Sequence, residues 1–245
     1  MNKAARSSAI NKLTRGASLR MASTRDFGSD MTRYHEAFQQ ADGLFFDAFK
    51  VAVVNEGNED QLSFMVSATA GTNDQITSEP ERFVYALAAG TAEKQKVKVA
   101  AIPDSDEFSW GCQAIKLAAS KYTGKGVNLA VLDTGLNLTH PDFARLKVQS
   151  KSFVKQQEVE DKNGHGTHCA GISVGALQKK TGWRYGVAKD ANLFVGKVLS
   201  NQGVGYDSGI LAGIDWALQN KCKVISMSLG SEVEEGETFS PAYER

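Results

Sequence analysis

Gly126-Val127-Asn128-Leu129-Ala130-Val131-Leu132-Asp133-Thr134-Gly135 is an apolar run that ends on an acid and a turn. Residues 127–132 lack the in–out alternation of a half-solvated strand, so they read as a strand buried on both faces, the kind found in a parallel sheet under helices. Asp133 then stands at the carboxyl end of that strand, where open α/β sheets collect ligand-binding residues. Asp-Thr-Gly is also good turn chemistry, and a plain turn aspartate is the competing reading.

Outward from this strand the pattern alternates. Residues 193–199 form a second apolar run with Gly196 inside it, and residues 223–229 a third. Between them, residues 207–219 carry Ile210, Ile214, Ala217 and Leu218 at helical spacing, and another helix opens near His165. Strands joined by amphipathic helices are βαβ units, which predicts an α/β fold with a parallel sheet and helices on both faces. Ahead of it, apolar runs at 44–54, 62–68 and 83–89 are broken by Asn55-Glu56-Gly57-Asn58 and Gly71-Thr72-Asn73-Asp74, the texture of a small α+β region. The polar segment Pro103-Asp104-Ser105-Asp106-Glu107 separates the two. The expected organisation is a flexible basic N-terminus over 1–25, a small α+β region over 26–106, and an α/β domain over 107–245.

Composition narrows the function. Lys and Arg (28) balance Asp and Glu (28), so no global field points to nucleic acid, and no apolar run reaches the length of a membrane span. Cys112, Cys169 and Cys222 are far apart and odd in number, which argues against a disulfide framework or a zinc site. The first 25 residues are rich in Lys, Arg and Ser and free of acids, as in an organelle transit peptide. A solvated, frayed terminus is the plainer reading. The sequence contains no secretory apolar segment, and the compartment is left open.

The second motif is Asn163-Gly164-His165-Gly166-Thr167-His168-Cys169-Ala170-Gly171. Near a helix N-terminus the positive end of the dipole disfavours an imidazolium, so His165 is expected to be neutral and ready to accept a proton. A carboxylate beside it would fix its tautomer, and Asp133 is the candidate. His165 and His168 are spaced i, i+3 without a neighbouring glutamate, unlike the i, i+4 pair of zinc proteases, and His168 is read as a packing or hydrogen-bonding residue. An aspartic peptidase would need a second Asp-Thr-Gly or Asp-Ser-Gly, and the sequence has none.

These two blocks, with His140-Pro141-Asp142-Phe143, Gly186-Val187-Ala188, Lys197-Val198-Leu199 and Val224-Ile225-Ser226-Met227-Ser228-Leu229-Gly230, resemble in order the stations of the subtilisin-like serine peptidases. The resemblance runs from about Trp110 to Ser231, and the cysteine after His168 is similar to the proteinase K-like branch. It implies that His165 is the general base and Asp133 its orienting partner. It implies too that a protein or peptide substrate is bound as an extended strand between Ser228-Leu229-Gly230 and Gly203-Val204-Gly205. The N-terminal region takes the position of a propeptide, a candidate intramolecular inhibitor. Asp142 alone matches a calcium ligand of bacterial subtilisins, so calcium rests on that one residue, and the sequence from 177 to 185 does not align with their calcium loop.

The family's nucleophile should follow the histidine by on the order of 150 residues, and no Gly-Thr-Ser block occurs before Arg245. Ser208, Ser226 and Ser228 sit in blocks with other roles. The expectation is therefore a serine endopeptidase represented by its front part, without the serine of its Asp-His-Ser triad. A peptide-binding module that has lost turnover is the alternative.

Overall fold

A computed structural model describes residues 10–27, 34–73, 75–87, 102–175, 183–233, 235–236 and 240–244. The chain divides into two compact units, Met1–Arg82 with Glu232–Arg245, and Phe83–Ser231.

The first unit contains β1 (Met21–Ser23), α1 (Tyr34–Gln40), β2 (Gly43–Phe46), β3 (Val51–Val54) and α2 (Glu59–Thr69). Its sheet has the order β1-β2-β3, with β1 parallel and β3 antiparallel to β2. Leu44, Phe45 and Phe46 are sealed from solvent, and Met65 of α2 packs on Ala17 and Leu19. The basic N-terminus is thus not frayed throughout: residues 10–25 include a helical turn at Lys12–Gly16 and strand β1, because Leu13, Ala17 and Leu19 are apolar enough to be buried. Residues 1–9 lie outside the described residues.

The second unit contains β4 (Phe83–Ala86), α3 (Trp110–Ala114), β5 (Asn128–Asp133), β6 (Gln149–Ser152), α4 (His165–Val174), β7 (Asn192–Lys197), β8 (Val204–Tyr206), α5 (Asp207–Gln219), β9 (Val224–Ser226) and β10 (Leu229–Gly230). It begins at Phe83, so it takes in a strand that precedes the polar segment at 103–107. Four strands form a parallel sheet in the order β6-β7-β5-β9, with Leu132 level with Gly196 and Asp133 with Lys197. Because side chains alternate along a strand, the two faces separate cleanly. Leu129, Val131, Leu193 and Val195 pack with Ala170 and Val174 of α4. On the opposite face Phe194 meets Trp216 of α5 with ring centroids 5.9 Å apart, and a methyl group on Gly213 would lie 2.6 Å from Val198 and 3.3 Å from Leu132. The chain runs from β5 out to β6, back to β7 and across to β9. A reversal of this kind puts the carboxyl end of β5 where open α/β sheets collect ligand-binding residues.

Two further expectations need correction. Helix α5 spans the expected residues, yet Leu218 is 46% exposed while Leu211, Gly213 and Trp216 are buried, because small residues let much of the helix circumference sink into the unit. The single run at 223–229 is two strands: β9 stays in the parallel sheet, and after Met227 and Ser228 the chain joins a second, antiparallel sheet, β10-β4-β8, as β10.

Candidate active site

The end of β5 and the start of α4 are brought together by backbone-to-backbone packing. A methyl group on Gly166 would come 2.4 Å from the Gly135 carbonyl oxygen, and one on Gly135 would come 2.1 Å from that of Val159. Only glycine fits this junction, which explains the glycine two residues after Asp133 and the one next to His165. Asp133 is completely buried, and its Oδ1 accepts from the Thr134 amide at 2.7 Å. His165 opens α4, and its Nδ1 lies 2.8 Å from the same Oδ1.

The other ring nitrogen, Nε2, faces the carbonyl oxygen of Leu87 at 3.1 Å. A carboxylate and a carbonyl are both acceptors only. Each ring nitrogen therefore satisfies its partner only by carrying hydrogen, and the arrangement suits an imidazolium. Burial of the ring pushes the His165 pKa down, but the hydrogen bond and charge of Asp133, the Leu87 carbonyl and the charge of Asp161 outweigh it, so the net direction is up. The direction is opposite to that expected from the helix terminus. A dipole end acts as a partial charge, whereas Asp133 is a full one in contact.

The groove beside His165 is not open. Strand β4 lies in it, antiparallel to β8 on one side and to β10 on the other. Tyr85 pairs with Val204 and Gly230, Val84 with Gly205, and Ala86 with Leu229. The Ala86 amide donates to the Gly203 carbonyl at 2.8 Å and the Leu87 amide to the Ser228 carbonyl at 2.9 Å. All six residues expected to border a substrate thus border this segment, through backbone rather than side chains. Phe83, Tyr85 and Leu87 point largely outward, and Val84 is buried. The Gly205 position serves the scaffold as well, since a methyl group there would meet the Val198 carbonyl at 2.4 Å.

Sequence reasoning missed three participants. Leu87 belongs to an apolar run with no catalytic signature. Asp161 is buried and bonded to both motifs, and the signal was an acid just ahead of a helix start. Lys197 is fully buried, with Nζ donating to the Thr134 carbonyl and, at 3.0 Å, to Asn201 Oδ1. A lysine within an otherwise apolar strand required such partners. His168, expected to pack or hydrogen-bond, has an exposed side chain.

All three cysteines are free thiols. Burial pushes the Cys169 thiol up, Ser228 offsets part of that, and the Asp133 charge adds to it. Among the described residues, Asp133, His165 and Cys169 place potential metal-ligand atoms within 4.8 Å of one another, though Asp133 and His165 already share a proton there. The Asp142 carboxylate accepts from the Tyr185 hydroxyl, whose pKa is driven up by burial and by that carboxylate, so the residue considered for calcium is engaged by a neighbour. Residues 176–182, most of the loop considered with it, lie outside the described residues.

Residues 124–245 match the model of the Subtilase family. Over 148 residues the chain is 36% identical to alkaline protease 2 of Aspergillus fumigatus, covering 60% of this chain and 28% of that protein. With subtilisin DY of Bacillus licheniformis the identity is 44% over 119 residues, 48% of this chain and 42% of the relative. Subtilisin-like protease 1 of Trichophyton rubrum is 28% identical over 226 residues, 84% of this chain and 42% of the relative. In each comparison the chain spans less than half of its relative.

Proposed function

Residues 124–245 belong to the subtilase family, and from that footing we propose that the chain supplies the base, the orienting carboxylate and the peptide groove of a serine endopeptidase. The observation that carries the proposal is the line Asp133 Oδ1, His165 Nδ1, His165 Nε2, Leu87 carbonyl, with contacts of 2.8 and 3.1 Å, at the end of a strand clamped on both edges. In this reading His165 Nε2 takes the proton of a serine hydroxyl as that oxygen attacks a peptide carbonyl, Asp133 stabilises the imidazolium, and the proton then passes to the departing amine. A protein substrate lies as an extended strand between Gly203-Val204-Gly205 and Ser228-Leu229-Gly230.

The same geometry supports the chain's own N-terminal region as an intramolecular inhibitor. The segment Phe83 to Leu87 occupies the groove, and its last carbonyl holds Nε2 in the protonated state, in which it cannot act as a base. A peptide-binding module without turnover would use the same strand pairing.

The test is expression of the open reading frame read on past codon 245, with hydrolysis of casein and labelling by a fluorophosphonate as readouts. Both are expected, and His165→Ala should lower kcat by about 10⁶, the scale that subtilisin itself provides for loss of this histidine. A frame that stops, with peptide binding but no hydrolysis, would leave the module reading; hydrolysis indifferent to His165→Ala and Asp133→Asn would remove both residues from the mechanism.

A further inference from the structure

The buried carboxylate of Asp161 ties the two motifs to each other. Its Oδ1 accepts from the Thr134 hydroxyl at 2.9 Å, the Asn163 amide at 3.0 Å and the Gly164 amide at 2.9 Å. Its Oδ2 accepts from the Thr167 amide at 2.9 Å and the Thr167 hydroxyl at 2.6 Å. Thr134 follows Asp133, and its hydroxyl also accepts from the Gly166 amide at 2.8 Å. Thr167 in turn accepts from the Asn137 amide at 2.9 Å. One acid thus bonds the residue after Asp133, the two residues before His165 and the second residue after it.

We propose that Asp161 is a positioning residue, which builds the contact between Asp133 and His165 by holding the turn after β5 and the first turn of α4 in fixed register. It touches no reacting atom. Its action runs through Thr134, among the described residues the one side chain that bonds both Asp161 and the α4 backbone. This inference rests on the reading of Asp133 and His165 as an orienting acid and a base.

Charge supports the arrangement. The acid lies at the N-terminal end of α4, where exposed amides favour an anion. Burial opposes its ionisation, but hydrogen bonds from Thr167, Gly164 and Thr134 prevail and hold the carboxyl below its usual range. The ammonium of Lys197 is pushed down by burial and held up by Asp161 and Asp133, so one buried cation stands against two carboxylates. With His165 neutral this cluster has a net charge of −1, an environment that favours the imidazolium a general base must become. An asparagine at 161 would fail in either orientation, since its NH₂ would face two or three donors.

The test uses the 245-residue chain with isotopically labelled histidine and reads two properties of His165 by NMR: the low-field resonance of the Nδ1 proton shared with Asp133, and the imidazole titration. Asp161→Asn should broaden or move the resonance upfield and shift the titration to lower pH. Where that variant does not fold, Thr134→Val decides, since it keeps the shape and removes only the bridging hydroxyl; it should move both signals in the same directions, and Thr134→Ser should restore them. A folded Thr134→Val with both signals as in the parent overturns the proposal, as does a Thr134→Ser that is perturbed as much as Thr134→Val. The readout does not involve hydrolysis. If the extended frame hydrolyses nothing while Thr134→Val moves His165, the protease reading fails and the positioning role stands.

Discussion

The second unit holds two sheets that differ in almost every respect. In β6-β7-β5-β9 the strands are parallel, and the two central ones are each six residues long and almost entirely buried. In β10-β4-β8 they are antiparallel and two to four residues long, and Phe83 and Tyr85 stand half in water. Side chains specify the first sheet. The second is held largely by backbone pairing.

Substitutions should separate the two most sharply in stability. Leu132 is fully buried on the face toward α5, so Leu132→Ala should cost about 2–5 kcal/mol. Tyr85 is 45% exposed, and Tyr85→Ala should change stability by no more than about 0.5 kcal/mol. Chemical denaturation of the two variants decides it. Equal losses would mean that side chains hold both sheets and that the distinction is false.

A backbone change in the groove should have a middling and local effect. Ala86→Pro removes the amide that donates to Gly203 and leaves a carbonyl without its donor, at a cost of about 1–3 kcal/mol. Amide exchange in peptides covering 203–206 and 228–231 should speed up, while exchange in β5 and β7 stays as in the parent. A fluorescent peptide of sequence Phe-Val-Tyr-Ala-Leu should then bind where it did not before. Unchanged protection in both groove peptides would mean that β4 is held by something other than these ladders.

The same contrast accounts for what was legible in the sequence. Strands β5 and β7 were readable because burial on both faces leaves an unbroken apolar run, and α5 because Ile210, Ile214 and Ala217 recur at helical spacing. Strand β6, Gln149-Ser150-Lys151-Ser152, was not foreseen: it is a polar strand at the sheet's edge, and edges need no apolar pattern. The groove was half legible. Its two rims could be named from family-like blocks, but nothing in an isolated four-residue strand says that it pairs with segments more than a hundred residues away. Asp133 and His165 were legible because glycine-flanked motifs advertise close backbone approach. Asp161 carries no motif of its own, Lys197 entered only as the first residue of the Lys197-Val198-Leu199 block, and their roles appear only when burial requires every charge to find a partner.

The smallest expected effect is on pH. With its pKa raised in the folded chain, His165 contributes stability that is fully present below its unfolded value of about 6.5 and is lost as pH climbs through the folded value. The loss falls on one sheet only. Asp133, Asp161 and the Cys169 thiol face the ring from β5, the segment before α4 and α4 itself, and the Leu87 carbonyl faces it from the groove. When the proton leaves, Asp133 keeps the hydrogen on Nδ1, the better of the two acceptors, and Nε2 becomes a bare lone pair opposite the Leu87 oxygen. Attraction there turns into repulsion between two acceptors. Raising the pH from 6 to 9 should therefore loosen the groove segment by less than about 1 kcal/mol, since the ring is partly exposed and screened. Exchange rates in 203–206, corrected for the intrinsic pH dependence, should rise relative to those in β5. In His165→Gln the rise should disappear, because glutamine does not titrate. A rise of equal size in His165→Gln would assign the effect to another group and leave the grip of the groove on its strand independent of the histidine.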